Sequence, residues 1–191
     1  MARLDHLTIV APTLAEGVAH VRTSLGVEVP FGTRHPYMGT HNHRLQLGQA
    51  VYLEIVALDP EARPPGRPRW FGLDDQDKVR ADWDAGRRLC GWVASTEAID
   101  AVDKLSLPGF EFAMAADEAL PSLIDRHGAP PPMAAIPDLG ARLRLFTLEH
   151  PDPAAVAALY QSIAESPEVV YGPILSYRAL IETSAGLKEL R

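Results

Sequence analysis

His6 and Glu54 are the two side chains whose types and positions most readily do chemistry together. Side chains alternate across a strand. In the segment LDHLTIVA, residues 4–11, Leu4, His6, Thr8 and Val10 share one face while Leu7 and Ile9 share the other. In VYLEIVAL, residues 51–58, Tyr52, Glu54 and Val56 share one face, and Val51, Leu53 and Ile55 the other. If the wholly apolar faces pack on helices, His6 and Glu54 point together into the opposite, concave face. An imidazole and a carboxylate on one curved face begin a divalent-metal site. The same two groups also make a hydrogen-bonded pair lining a polar pocket, and both readings stand.

Further polar residues surround the run GTHNH. His35, His41 and His43 offer a third metal ligand or an acid–base group, or are surface loop histidines. His43 shares parity with Leu45 and Leu47 and is expected on the helix side. Asn42 and Arg44 have the opposite parity and are expected in the concave face, as groups that polarise a ligand. The planar fork of Arg44 suits a carboxylate or a phosphate, and its competing role is a salt bridge to Glu54. Trp92, in the segment LCGWVA, is either core or a wall of the pocket, and Cys90 beside it reads as a buried, inert thiol. Asp125 and His127 form a candidate dyad in a Gly- and Pro-rich loop, and His150 reads as a turn residue.

The elements that must position these groups follow from local pattern. Residues 4–11 read as a strand ended by Pro12. Thr13 and Glu16 form a T-x-x-E capping box, Leu14, Val18, Val21 and Leu25 follow at helical spacing, and Gly26 sits where a helix ends. Strands are expected over 27–31, 44–47 and 51–58, with a loop over 32–39, so residues 1–58 form a β-α-β-β-β module. Residues 59–86 are a Pro- and Arg-rich connector with one short helical turn, carrying Trp70 and Trp83. The second half, 87–191, opens with a strand over 89–94. A helix capped by Ser95 or Thr96 follows, with Ile99, Val102 and Leu105 on one face. Strands over 110–114 and 120–125 complete this middle segment. A strand over 143–149 then precedes a helix started by Asp152 and Pro153, with a Val156, Leu159 and Ile163 stripe. Strands over 169–171, 177–183 and 187–190 complete a second β-α-β-β-β pattern. HLTIVAPTLA from His6 and LFTLEHPDPA from Leu145 align without gaps, which suggests modules of about fifty residues that pair to bury their sheets.

Bulk properties narrow the function. A 191-residue chain with 47 % hydrophobic residues buries a core without disulfides, and its single cysteine allows no intrachain bridge. A net charge of -7 with no basic run disfavours nucleic acid. Asp5 and His6 interrupt any signal-type apolar run, and no stretch is long enough to span a membrane, so a cytoplasmic protein is expected. G-x-S-x-G, P-loop, dinucleotide-binding and H-E-x-x-H motifs are missing.

Several segments together resemble glyoxalase-like proteins of the vicinal oxygen chelate superfamily. DHLTIVAPTLAEGVAHVRTSLGVEVPFG and HPYMGTHNHRLQLGQAVYLEIVALDP look like an opening module. RPRWFGLD looks like a connector, and LPSLID, RLFTLEHPDPAAV and GPILSYRALIETSAGLKEL match later segments. The run GTHN-x-x-L-x-LG-x-x-x-YLE is the most specific of these. The resemblance implies an α+β fold of paired βαβββ modules, forming a curved, cup-shaped mixed sheet with helices outside, and a single compact domain overall. It implies a small oxygenated ligand in the cup, and a divalent metal (Ni, Fe, Mn or Zn) on His6 and Glu54 at the matching strand positions. The expected second ligand pair is not evident: the matching first-strand positions fall near Leu89 and Leu145. Asp125 or Glu189 is then the candidate further ligand. An extra strand pair that similar proteins carry before the LPSLID-like segment also has little room here.

The expected site is therefore His6 and Glu54 for catalysis or metal, with Asn42, Arg44, Tyr52 and Trp92 against the ligand. The implied chemistry is a metal-dependent lyase, isomerase or dioxygenase. The alternative is a metal-free protein that binds or sequesters a small molecule, and a third reading is an interaction protein with a vestigial cup. A homodimer is expected from the resemblance.

Overall fold

The computed structural model describes all 191 residues. The first module contains β1 (Ala2–Val10), α1 (Leu14–Leu25), β2 (Phe31–His35), β3 (Thr40–Gln46) and β4 (Tyr52–Leu58). Residues 59–88 hold one short helix, α2 (Gln76–Asp84), preceded by a single 3-10 turn at Trp70–Gly72. Next come β5 (Leu89–Ser95), β6 (Leu105–Leu107), β7 (Phe110–Ala113) and β8 (Ser122–Asp125). The last third holds β9 (Arg142–His150), α3 (Pro153–Leu159), β10 (Ile163–Ala164), β11 (Glu168–Tyr171), β12 (Ser176–Thr183) and β13 (Gly186–Leu190).

The strands make two sheets. The larger, curled into a half-barrel, has the order β2-β3-β4-β1-β5-β8-β7-β6, with β10 added beside β1. Its two halves have the same plan: β1 pairs parallel with β4 and β5 parallel with β8, while β1 and β5 meet antiparallel at the centre. The first module thus pairs with the middle segment. The closing β-α-β-β-β run forms a separate sheet, β11-β9-β12-β13. That sheet and α1 cover the back of the half-barrel, and one apolar core joins Leu7, Ile9, Leu53 and Trp92 to Phe146, Tyr177 and Ile181. No helix is long and apolar enough to cross a membrane.

α1 forms as its punctuation dictates. Thr13 accepts a hydrogen bond from the Glu16 amide at 3.2 Å, and Gly26 takes a left-handed φ of 71° while donating its N–H to the Arg22 carbonyl. Gly17, inside this helix, lets it lie directly on β4. A Cβ there would fall 2.4 Å from Ile55 Cγ2 and 2.9 Å from the Ala11 methyl.

Four expectations are corrected. No helix follows Ser95: residues 96–104 are irregular, Val102 is fully exposed, and the β6–β7 hairpin turns at Pro108 and Gly109. The segment between β7 and β8, where the sequence leaves little room for an extra strand pair, holds no strand. The strand expected over 27–31 begins only at Phe31 and occupies the expected loop. α3 ends at Leu159, which is exposed, so the stripe reduces to Val156. Leu4 leaves the face assigned to it, because a register break between Leu4 and His6 makes Asp5 the extra residue of a β-bulge. Leu4 and Leu7 then both reach the core behind the sheet.

Candidate functional site

The concave face holds a cavity of about 390 Å³, within the range of small-molecule pockets. β1 and β4 bring His6 and Glu54 together there, with Nε2 to Oε2 at 3.4 Å. Parity correctly puts Asn42 and Arg44 on the same side. Asn42 donates from Nδ2 to Glu54 Oε1 at 2.6 Å, and its Oδ1 accepts the Thr33 N–H at 2.8 Å. The donor on one side and the acceptor on the other fix which way the amide points. Tyr52 stacks on His6 with ring centroids 4.6 Å apart at an interplanar angle of 18°.

The bulge at Asp5 adds a group that strict alternation would have sent to the other face. Asp5 Oδ1 lies 2.6 Å from His6 Nδ1, and both carboxylate oxygens accept from the guanidinium of Arg126, just beyond β8. His6 is therefore held between two carboxylates. Burial pushes its pKa down, but the hydrogen bonds and charges of Asp5 and Glu54 outweigh that and raise it above 6.5. Burial pushes Glu54 up, yet its contacts with His6, the charge of His35 and the Asn42 amide bring it to about 2. Asp5 is likewise raised by burial but brought to about 2 by His6 and Arg126. All three shifts favour the charged forms, an imidazolium between two carboxylates.

Arg44 differs from its neighbours. It lines the cavity, and its Nε is buried without a hydrogen-bond partner. It stands opposite Glu54 in the β3–β4 register but makes no salt bridge to it, the role that competed with ligand binding. Gly32 on β2 allows this placement: a Cβ there would sit 2.2 Å from Asn42 Oδ1 and 2.8 Å from Arg44 Nε. Of the three clustered histidines only His35 reaches the cavity, with Nδ1 3.1 Å from Thr40 Oγ1 and its ring edge-on to Trp70. His43 turns back to the Val29 carbonyl. Trp70, Phe71, Phe110 and Phe112 form the aromatic wall.

The remaining expected residues lie elsewhere. Trp92 pairs with Leu7, not His6, so it faces the opposite side of the sheet, among Phe146 and Tyr160. Asp125 caps the His127 amide at 2.7 Å and lies outside the cavity, while His127 is largely exposed. Glu189 belongs to the second sheet, where it pairs with Arg191 at 2.6 Å. His150, expected as a turn residue, is instead the last residue of β9, and its Nδ1 accepts from the Asp152 amide in the turn that follows. Sequence reasoning missed Asp5, Arg126 and Trp70 as site residues. Only the adjacency of Asp5 to His6 offered a signal.

The donor set does not fit a divalent ion. His6, His35 and Glu54 line the concave face, but His35 Nδ1 is engaged with Thr40 Oγ1, and no group of three or more His, Cys, Asp or Glu side chains is arranged to hold a metal. His6 Nδ1 and Asp5 are already committed to each other and to Arg126. On the other half of the sheet, Val93, Phe112 and Ile124 pack on the concave side.

With this geometry, comparison with known proteins defines the class. The glyoxalase-like domain family matches residues 4–107, just over half of the sequence. The chain belongs to this family. No curated protein matches it. Among solved structures, a hypothetical protein from Staphylococcus aureus has a TM-score of 0.58 at 10 % identity, covering 93 % of this chain and 89 % of that one. It shares the fold. A Streptomyces coelicolor methylmalonyl-CoA epimerase in complex with 2-nitronate-propionyl-CoA has a TM-score of 0.42 at 17 % identity, covering 68 % and 98 %. The methylmalonyl-CoA epimerase from Mycobacterium tuberculosis has a TM-score of 0.42 at 15 % identity, covering 69 % and 91 %. Both epimerase likenesses are too distant to carry an argument about this site.

Proposed function

We propose that the concave cavity binds a small, oxygen-bearing anion with an apolar body. The observation that carries this is Arg44. Asp5, His6, Glu54 and Arg126 neutralise one another, whereas Arg44 brings a cation whose buried Nε has no partner. Buried polar groups are ordinarily satisfied, and a guanidinium is satisfied best by a carboxylate or phosphate. The aromatic wall fits the apolar part of such a ligand. Phenylpyruvate, titrated calorimetrically beside its neutral methyl ester, tests the reading. Phenylpyruvate is expected to bind and the ester not to, with R44M weakening the acid by about tenfold or more. Equal affinity for acid and ester, or an indifferent R44M variant, would overturn it.

A second reading is supported by the His6–Glu54 pair. The environment pushes the two pKa values apart, leaving the proton on His6 and the charge on Glu54, the pattern of an assigned acid and base. Glu54 would then take a proton from C3 of the bound anion while the His6 imidazolium donates its Nε2 proton to the neighbouring ketone oxygen, giving the enol. Exchange of the phenylpyruvate C3 hydrogens in heavy water, followed by NMR, tests this step. Acceleration that H6Q abolishes while binding persists supports it, and a background exchange rate in the wild type ends it.

A further inference from the structure

Two cavities meet at Phe71. One is the concave cavity, and the other, of about 850 Å³, lies between α2 and the first residues of β5. Of all their lining residues Phe71 alone belongs to both. Val10, Val79 and Cys90 line only the larger cavity, and Trp70, Phe112 and Ile124 only the concave one, yet all six pack with Phe71 in a single apolar cluster. The two spaces are therefore divided, at their nearest approach, by one aromatic side chain with apolar surface on either side of it.

The backbone at this point is strained. Phe71 sits at φ 56° and ψ 27°, in the left-handed region where a bulky residue is a genuine outlier. Such conformations persist where the surroundings impose them, and ligand clamps are one such place. Glycine takes this backbone with ease, as Gly72 beside it does at φ 67°. Position 71 therefore holds phenylalanine against its backbone preference, and what phenylalanine adds there is the ring. That ring stands edge-on to Phe112, with centroids 6.0 Å apart at 82°. The turn that carries it is fixed at both ends, by Arg69 on Asp74 at 2.5 Å and by the fully buried Leu73.

We propose that Phe71 sets the length of the ligand. This rests on the reading that Arg44 holds an anion in the concave cavity. The Phe71 ring closes that cavity against the larger one, so the ligand is a carboxylate with a short aromatic or acyl body. An acid of fatty-acid length finds its tail stopped at the ring. Phe71 is thus a specificity-determining residue, and its removal joins the two spaces.

Hexanoate and dodecanoate, titrated by NMR into the wild type and into F71Y, F71G and F71A, test this. The reporters are the methyl signals of Ile124, in the concave cavity, and of Val79, in the larger one. In the wild type and in F71Y, both acids are expected to move Ile124 and neither to move Val79. Dodecanoate should then gain less affinity over hexanoate than the roughly fourfold that burying even one methylene brings. In F71G and F71A dodecanoate is expected to move Val79 as well, and to bind about tenfold or more tighter than hexanoate. Adding R44M to F71G should remove the Val79 movement, because the tail is carried there by an anchored carboxylate. The proposal is overturned if dodecanoate moves Val79 in the wild type, if the two acids bind a folded F71G or F71A equally, or if the Val79 movement survives R44M. Should neither opened variant fold, the wild-type titration decides: Ile124 moving without Val79 sustains the proposal, and Val79 moving ends it. Failure of hexanoate and phenylpyruvate alike to bind the wild type is a different result, which removes the anion site and this inference with it.

Discussion

The two halves of the half-barrel share one strand plan and divide its labour. β1 to β4 bring His6, Asn42, Arg44, Tyr52 and Glu54 to the concave face, whereas β5 to β8 bring Val93, Phe112 and Ile124. The first half is backed by a capped helix, while the second has irregular chain where a helix was expected. Equal topology therefore does not mean equal chemistry. One half presents groups that can meet a ligand, and the other supplies apolar packing and a single cation, Arg126, which it commits to Asp5 across the sheet.

That division predicts a ranking of effects. The largest belongs to the one charge lent by the second half. R126M leaves Asp5 buried without its bidentate partner and should cost about 3–5 kcal/mol in urea unfolding. R44M should cost less than about 1 kcal/mol while weakening anion binding by about tenfold or more, because the Arg44 Nε has no partner in the unliganded protein. Comparable stability losses in the two variants would break the comparison. Next comes the backing of the first half. In G17V the new methyls meet Ile55 and Ala11, and strain of about 1–3 kcal/mol is expected.

The pH dependence should be smaller, with its part near neutrality set by the first half. His6 is raised in the folded state, so its contribution is complete below its ordinary value of 6.5 and is lost as pH rises through its folded pKa. Asp5 and Glu54 are both brought to about 2, so theirs is complete above the ordinary 3.8 and 4.5 and is lost as pH falls towards 2. Unfolding curves across pH should thus show an alkaline limb that H6Q flattens. An unchanged limb in H6Q would show that another group sets it. The smallest effect belongs to Glu189, paired at the surface of the second sheet. E189Q should change stability by less than about 0.5 kcal/mol and leave phenylpyruvate binding unchanged.

Much of the first half was legible in the sequence. The Thr13–Glu16 box and Gly26 delimit α1, and strict alternation in 52–58 and 42–44 assigns Glu54, Asn42 and Arg44 to one face. The pattern failed where geometry departs from period two or 3.6. One extra residue in β1 turned Leu4 away from the cup and brought Asp5 in, which no count of alternate positions reveals. Ile99, Val102 and Leu105 have helical spacing, yet only Ile99 is buried, and Pro108 and Gly109 act as a hairpin turn instead of a helix stop. Trp92 was misplaced because its face is fixed by the β1–β5 register, a long-range fact. The same holds for Arg126, whose partner is 121 positions away.

The orientation of Asn42 has a consequence for the rim of the sheet. β2 is the outermost strand, paired only with β3. The amide of Thr33 on it donates to Asn42, which in turn donates to Glu54. The exchange rate of that one peripheral proton is thus tied to the state of a carboxylate deep in the concavity. It should slow or quicken as a guest engages Glu54, which makes the Thr33 amide a native, label-free gauge of occupancy.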